Sequence, residues 1–401
     1  MMPRPRRQRP AVNVATIALR AAVYLSAAWA TLVMLASGLF PGSGVLTLTL
    51  AIYTTLPLVA FVRWRGWPFY PGAAFRLLVV RPFWYTQLIL PLVAGAGLIG
   101  VIAGAPFGHA ILAGRVLAGA VFAIVASVLG LGYLGARRLV VRNVDAVIPG
   151  LAPEFDGLSI AQLSDLHVGP HTSRRFLRRV VEATQSLVPD VIAVTGDLID
   201  DRAEDVAVYA RALGALEAPL GVYMIPGNHD VYAGWDDVER NLRSARLGTV
   251  LVNETRLLHR GDATIAIVGT GDPAGGQRGA SRVAPDVDRA LEEVPSSATV
   301  IAFAHNPKLW PALAARGVAL TLSGHTHYGQ FALPRLGWSL ASPFLEHAMG
   351  GHAQQDALLY ISPGTGYWAI PFRLGAPSEV TLVTLRRGES GATHVHPARA
   401  A

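Results

Sequence analysis

The chain has 401 residues, 52% of them hydrophobic, and its mean hydropathy is positive. That is more apolar than a water-soluble globule needs, so a membrane portion is expected beside at least one folded domain. There is no cysteine, which excludes disulfides, thiolate zinc sites and cysteine nucleophiles; any metal must be held by nitrogen and oxygen.

The formal net charge of +7 is unevenly placed, because residues 1–142 carry 13 arginines and no Asp or Glu, leaving the rest of the chain acidic overall. The basicity therefore belongs to the apolar half, where arginines set topology and meet anionic headgroups. Membrane lipids are the expected partner of that half, and no nucleic-acid polymer is. Nothing in the sequence sets the oligomeric state.

In chain order, Arg4, Arg6, Arg7 and Arg9 precede an apolar stretch over 14–40. It is longer than the roughly 7–15 residue core of a secretory signal and is followed by more of the same, so it reads as a retained span. Further apolar runs cover 45–62, 83–103 and 110–136, each near the ~20 residues that a bilayer-crossing helix requires. Pro57 and Pro91 interrupt two of them, which membrane helices tolerate. Arg20 and Arg115 sit toward the ends of their runs, where a long side chain can reach the interface.

The expectation is a bundle of about four transmembrane helices over 1–142. The absence of acidic residues there argues against an ion-coupled transporter. The N-terminus, the Arg63, Arg65, Arg76 and Arg81 loop and the Arg137, Arg138 and Arg142 segment are basic, while 41–44 and 104–109 carry no charge. With four spans the basic segments all face the cytoplasm. The reading is an integral protein of the inner or plasma membrane with its second half cytoplasmic.

After a linker expected over 143–155, short apolar strands alternate with amphipathic segments, an α/β pattern. Strands are predicted over 158–163, 191–195, 222–225, 264–268, 299–304 and 319–322. Each is followed at once by polar residues: Asp165 and His167; Asp197 and Asp200; Asn228, His229 and Asp230; Asp272; His305 and Asn306; His325 and His327. In open α/β sheets ligands gather beyond the carboxyl ends of strands, so six such clusters can converge on one site. Carboxylates, imidazoles and an amide oxygen suit two divalent ions such as Mn²⁺, Fe²⁺ or Zn²⁺, with one carboxylate bridging the pair.

The ordered set DxH, GDxxD, GNHD, a separate His and GHTH resembles the calcineurin-like metallophosphoesterases over about 156–387. The GHTHxGQ ending and the Gly-Thr-Gly at 364–366 are most similar to a bacterial, membrane-linked branch that includes enzymes acting on UDP-diacylglucosamine and on phosphodiesters. The resemblance implies a four-layer α/β/β/α domain. It also implies that Asp165, His167 and His327 hold one metal, that Asn228, His305 and His325 hold the second, and that Asp197 bridges them. By the same resemblance His229 protonates the leaving group and Asp200 orients it, Asp230 is structural, and a metal-bridging hydroxide attacks phosphorus in line.

Tyr328 stands where this branch commonly has Gly, and is a candidate substrate contact. His171 reads as solvent-exposed. The segment 173–187 reads as a helix started by a Ser or Thr cap, with Phe176, Leu177, Val180, Val181, Thr184 and Leu187 buried and Arg174, Arg175, Arg178 and Arg179 on the other face. Arg174 and Arg178 are candidates for a substrate's second phosphate or for anionic lipid. Strands near 358–362 and 380–385 are expected to close a second sheet, and 388–401, with His394 and His396, to form a frayed tail.

The function that follows is a membrane-anchored, two-metal phosphohydrolase acting on a phosphodiester or pyrophosphate bond of a lipid-linked or nucleotide-containing substrate. The alternatives are a phosphomonoesterase or cyclic-nucleotide phosphodiesterase, and, from another class, a non-catalytic membrane receptor or scaffold.

Overall fold

The structure is a computed structural model that describes residues 14–64, 73–169, 172–277 and 279–401. The arginines at 4, 6, 7, 9 and 65, His171, and the side chains of Arg20, Arg63 and Arg76 lie outside that description. The chain divides into two compact units, one up to Val128 and one from Leu129 to Ala401.

The first unit is helical: α1 (Val14–Ala36), α2 (Ser43–Trp64), the short α3 (Ala73–Phe75), α4 (Arg81–Gly104) and α5 (Ala110–Gly135), whose last turns belong to the second unit. Two of the four expected spans are long and apolar enough to cross a bilayer, Leu77–Phe107 and Ala110–Gly135. In the first two, the described apolar stretches, Val23–Ala36 and Ser43–Pro57, are shorter. Gly100 and Gly104 lie so close to the α5 backbone that a Cβ at Gly100 would sit 2.5 Å from the Ala113 carbonyl oxygen, the close approach that small residues allow between apolar helices. The Arg115 guanidinium caps the end of α1, donating to the carbonyls of Leu35 (2.7 Å) and Ser37 (2.6 Å).

The second unit continues through β1 (Leu139–Pro149), β2 (Ser159–Leu163), α6 (Arg174–Ser186), β3 (Val191–Thr195), α7 (Asp205–Leu213), β4 (Val222–Ile225), α8 (Asn228–Tyr232), α9 (Trp235–Ala245) and β5 (Thr249–Val250). Then come β6 (Glu254–Arg260), β7 (Ala263–Gly269), α10 (Pro273–Gln277), α11 (Val287–Leu291), β8 (Thr299–Phe303), α12 (Trp310–Ala314) and β9 (Leu320–Ser323). The chain ends with a small hairpin, β10 (Ala332–Leu333) and β11 (Trp338–Ser339), followed by β12 (Gly350–Gln354), β13 (Ala357–Ile361), β14 (Ser378–Gly388), β15 (Ala392–Val395) and β16 (Arg399–Ala400).

One sheet runs β15-β1-β14-β2-β3-β4-β5, with β16 also on β1; the other runs β12-β13-β9-β8-β7-β6. Their facing sides share a core in which Ile160, Val191 and Ile225 meet Ile267, Phe303 and Leu322. Helices α6, α7 and α9 cover the outer side of the first sheet through Leu177, Val180, Tyr209 and Leu242. Ala290 of α11 and Leu313 of α12 pack on β7 and β8 outside the second. Each large apolar side chain so buried contributes about 1.5–3 kcal/mol, which is why strands apolar on both faces sit in the middle.

Two boundaries differ from expectation. The segment 143–155 is largely not a linker, since β1 begins at Leu139 and pairs in parallel with β14 from Leu139↔Ser378 to Pro149↔Gly388. Nor is 388–401 frayed throughout: β15 pairs Val144↔Val395, β16 pairs Val140↔Ala400, and His396 Nε2 lies 2.6 Å from Asp145 Oδ2. β13 closes the second sheet as expected, but β14 belongs to the first, between β1 and β2.

Candidate metal centre

Strands β2, β3 and β4 are parallel in one sheet, as are β7, β8 and β9 in the other, so their carboxyl ends can serve one site. Asp165, His167, Asp197, His325 and His327 all have left-handed backbones, with φ from 44° to 69°. Non-glycine residues seldom adopt this conformation, and here it clusters in the loops that follow β2, β3 and β9. Gly227 and Gly324 allow the loops to close: a Cβ at Gly227 would overlap Asp197, and one at Gly324 would overlap Ser164 Oγ and Asp165 Oδ2.

The side chains fall into two groups that share Asp197. In the first, His327 Nε2 is 3.2 Å from Asp165 Oδ1 and 3.0 Å from His167 Nε2, which is 3.6 Å from Asp197 Oδ2. In the second, His305 Nε2 is 3.3 Å from the same Asp197 oxygen and 3.3 Å from Asn228 Oδ1, and that amide oxygen is 2.7 Å from His325 Nδ1. Donor atoms of Asp165, His167 and His327 lie within 4.8 Å of one another, as do those of Asp165, Asp197 and His305.

Outer contacts fix which atoms face inward. His305 Nδ1–H donates to the Thr195 carbonyl at 2.9 Å, which leaves Nε2 turned to Asp197. Asp165 accepts from the His325 amide (3.1 Å) and from Ser164 Oγ (2.5 Å), and Asp197 Oδ1 accepts from the His229 amide (2.8 Å). Asp230 is buried and accepts the amides of Gly227, Leu198 and Ile199, tying α8 to the loop after β3.

Electrostatics agree with a ligand set. Burial, reinforced by neighbouring His305, lowers His325 to about 4; burial and the nearby His167 and Arg373 hold His327 well below the usual imidazole range. Both rings are therefore neutral at pH 7, as metal ligands must be. Burial pushes Asp165 up. Against the same burial, His305 and His167 hold Asp197 far down, and Asp197 in turn holds His305 up. Nitrogen and oxygen donor atoms thus face one another at 2.7–3.6 Å in a buried cluster, where a divalent cation would replace the protons that, against burial, the carboxylates favour on His167 and His305, and the all-N/O donor set suits Mn²⁺, Fe²⁺ or Zn²⁺.

His229 stands beside the first group, its ring centroid 4.7 Å from that of His167. Its Nδ1–H donates to the backbone carbonyl of Asp200 at 2.8 Å, with the Asp200 carboxylate farther off at 3.5 Å and closer, at 3.3 Å, to His167 Nδ1. Asp200 thus holds His229 mainly through its main chain. Asp272 is buried, with Oδ1 accepting the Ala274 amide.

Tyr328 does not face the cluster. It is buried with Trp310, Leu359 and Ile361, and its hydroxyl donates to the Ile361 carbonyl (2.7 Å) and accepts from the Gly350 amide (2.9 Å). Its hydrogen bonds are spent in the core, so the candidate substrate contact is withdrawn. Arg174 and Arg178 are exposed on the outer face of α6, and the structure does not bring them into the cluster.

Two features were not legible in the sequence. Trp368 and Tyr232 flank His229 with ring centroids at 6.1 and 5.7 Å. Arg373 is buried behind His327, with Nη2 3.2 Å from His327 Nδ1, while its guanidinium donates to the carbonyls of Pro363 (2.6 Å), Ala376 (3.1 Å) and Gly366. Burial lowers Arg373 to about 10, so it stays charged at neutral pH. Neither belongs to a recognisable motif, although the Gly-Thr-Gly that Arg373 binds does.

Comparison with known proteins gives the same reading. The family model for calcineurin-like phosphoesterases matches residues 158–329. The chain is 34% identical over 254 residues to a metallophosphoesterase of Helicobacter pylori (strain J99), covering 63% of this chain and 65% of that protein. It is 32% identical to a Danio rerio transmembrane protein with a metallophosphoesterase domain, covering 61% and 57%. To the metallophosphoesterase YkuE of Bacillus subtilis it is 30% identical, covering 64% of this chain and 91% of that one. The motif order, the convergence of its donor atoms and this likeness across nearly the whole of YkuE lead to one conclusion: the chain belongs to the calcineurin-like phosphoesterases.

Proposed function

We propose that the chain is a membrane-anchored phosphohydrolase that uses two divalent cations to cleave a phosphodiester or pyrophosphate bond in a lipid-linked or nucleotide-containing substrate. The observation that carries this reading is the position of Asp197, whose Oδ2 lies 3.3 Å from His305 and 3.6 Å from His167 and so belongs to both donor groups. Asp165, His167 and His327 would hold one ion, Asn228, His305 and His325 the other, with Asp197 between them. When bound, such a pair activates water and stabilises the charge that builds on phosphoryl oxygens.

The chain's own residues supply the rest. With Nδ1–H committed to the Asp200 carbonyl, His229 keeps Nε2 for proton transfer to the leaving oxygen. Trp368 and Tyr232 flank that ring with flat apolar surfaces against which a leaving group can lie. The two long apolar helices and the transmembrane relatives support membrane anchoring, and the basic Arg137 and Arg138 after α5 support a cytoplasmic catalytic unit.

The test is hydrolysis by full-length protein loaded with Mn²⁺, Fe²⁺ or Zn²⁺, offered bis-p-nitrophenyl phosphate, p-nitrophenyl phosphate and a UDP-sugar lipid. Diester or pyrophosphate cleavage is expected to exceed monoester cleavage; the reverse would favour a phosphomonoesterase, and no turnover of any would favour a scaffold. A reporter fused to the C-terminus is expected to be active only when cytoplasmic.

A further inference from the structure

The hairpin β10–β11 is an unusual surface. Ala332 pairs with Ser339, and both are buried. Leu333 pairs with Trp338, and the Leu340 amide donates to Phe331. Side chains alternate along a strand, so Phe331, Leu333, Trp338 and Leu340 share the opposite, outward face. Leu336 at the tip is 75% exposed, and Phe344 just beyond is 81% exposed. An apolar face of this kind on a soluble unit marks a partner.

Its neighbours identify that partner. The hairpin is joined to 372–374: Ala332 donates to the Leu374 carbonyl (2.9 Å), and Leu374 donates to Gln330 (2.9 Å). The adjoining Arg373 amide donates to the Gly132 carbonyl in the last turns of α5 (2.8 Å), where Gly132 lies against the Phe372 ring and Gly135 against the Arg373 carbonyl. Three residues from the end of α5, Arg138 is exposed, and Arg179 of α6 donates to the Arg137 carbonyl (3.2 Å), bringing the basic face of α6 to the same place. Apolar side chains with a tryptophan, and arginines, both joined to the end of a long apolar helix match the mixed chemistry of a bilayer interface.

We propose that the β10–β11 hairpin docks into the interfacial layer of the membrane that α5 enters, Leu336 and Phe344 reaching the acyl boundary. This rests on the membrane-anchored reading above and deepens it. Gln330, at the root of the hairpin, holds the Trp368 backbone through both ends of its amide (2.9 and 3.1 Å), and Trp368 borders His229. A phosphate group carried on a lipid would thus meet the catalytic cluster without leaving its leaflet.

The chain lacks cysteine, so one introduced thiol takes a nitroxide label uniquely. Full-length Leu336→Cys, Phe344→Cys and, beyond the opposite strand ends, Glu217→Cys are labelled and reconstituted in vesicles of phosphatidylcholine and phosphatidylglycerol. At 336 and 344 the label is expected to collide more with oxygen than with a water-soluble nickel chelate, and at 217 the reverse. A label at 336 and 344 as accessible to nickel as at 217 overturns the proposal. So does spin–spin broadening at 336 that vanishes on dilution with unlabelled protein, since the occupant would then be a second copy. Flotation separates the two levels: a chain that fails to float with the vesicles defeats the anchoring itself, whereas one that floats with an aqueous Leu336 defeats the docking alone.

Discussion

Asp197 is the residue on which both donor groups depend, and its loss should therefore differ from that of any other ligand. Asp197→Asn is expected to lower metal content and to abolish turnover, read by elemental analysis beside hydrolysis of bis-p-nitrophenyl phosphate. His229→Ala should retain the wild-type metal content and lose about 10²–10⁴-fold in rate, the usual contribution of a positioned acid. Full rate in that variant would remove His229 from the reaction. Gly324→Ala places a methyl on Ser164 Oγ and Asp165 Oδ2, so weaker metal binding and about 1–3 kcal/mol of lost stability are expected by titration and denaturant melts. Arg373→Met leaves the Pro363, Gly366 and Ala376 carbonyls without their donor, at a cost of about 3 kcal/mol.

At the level of elements, the six predicted strands, five of which lead into candidate ligands, were legible to within a residue or two, because each is a short apolar run closed by glycine, Asp, Asn or His. β1 was not. It follows the basic end of a membrane helix, and its Arg142, Asn143 and Asp145 read as a juxtamembrane linker until β14 is seen beside it, with Arg142 bonded to Glu379 at 2.5 Å. The tail was hidden for the same reason, since its strands exist only by pairing with β1. Asp145 holds that tail through His396 and also pairs with Arg386 of β14, and although partial burial works the other way, these two partners keep its carboxyl below the usual range. A depressed carboxyl contributes when ionised, so its share of tail stability is full above pH ~4 and disappears as pH falls through the lowered value. The protection of the 392–395 amides relative to an unfolded chain should therefore fall on acidification, and in Asp145→Asn it should be low at every pH.

For the whole molecule, the buried, facing donor atoms imply that bound metals would stabilise the second unit. At cation concentrations about 100-fold above Kd each ion adds about 2.7 kcal/mol. A chelator should then lower the melting temperature by roughly 5–10 °C for each ion it removes, at about 2–4 °C per kcal/mol for a domain of this size. An unchanged melt on chelation would mean that the donor atoms hold together through protons alone.

The sequence by itself determined the family chemistry: ordered clusters of Asp, Asn and His at strand ends mark a metallophosphoesterase, and the absence of cysteine restricts the donors to nitrogen and oxygen. Only the tertiary structure decided what surrounds that chemistry. Tyr328 turned into the core, Arg373 arrived behind His327, Trp368 came to border His229, and an apolar hairpin was joined to the end of α5. The physical reason is that ligand motifs are local, fixed by a strand and the turn that follows it, whereas burial and the direction of a side chain depend on contacts between segments far apart in the chain.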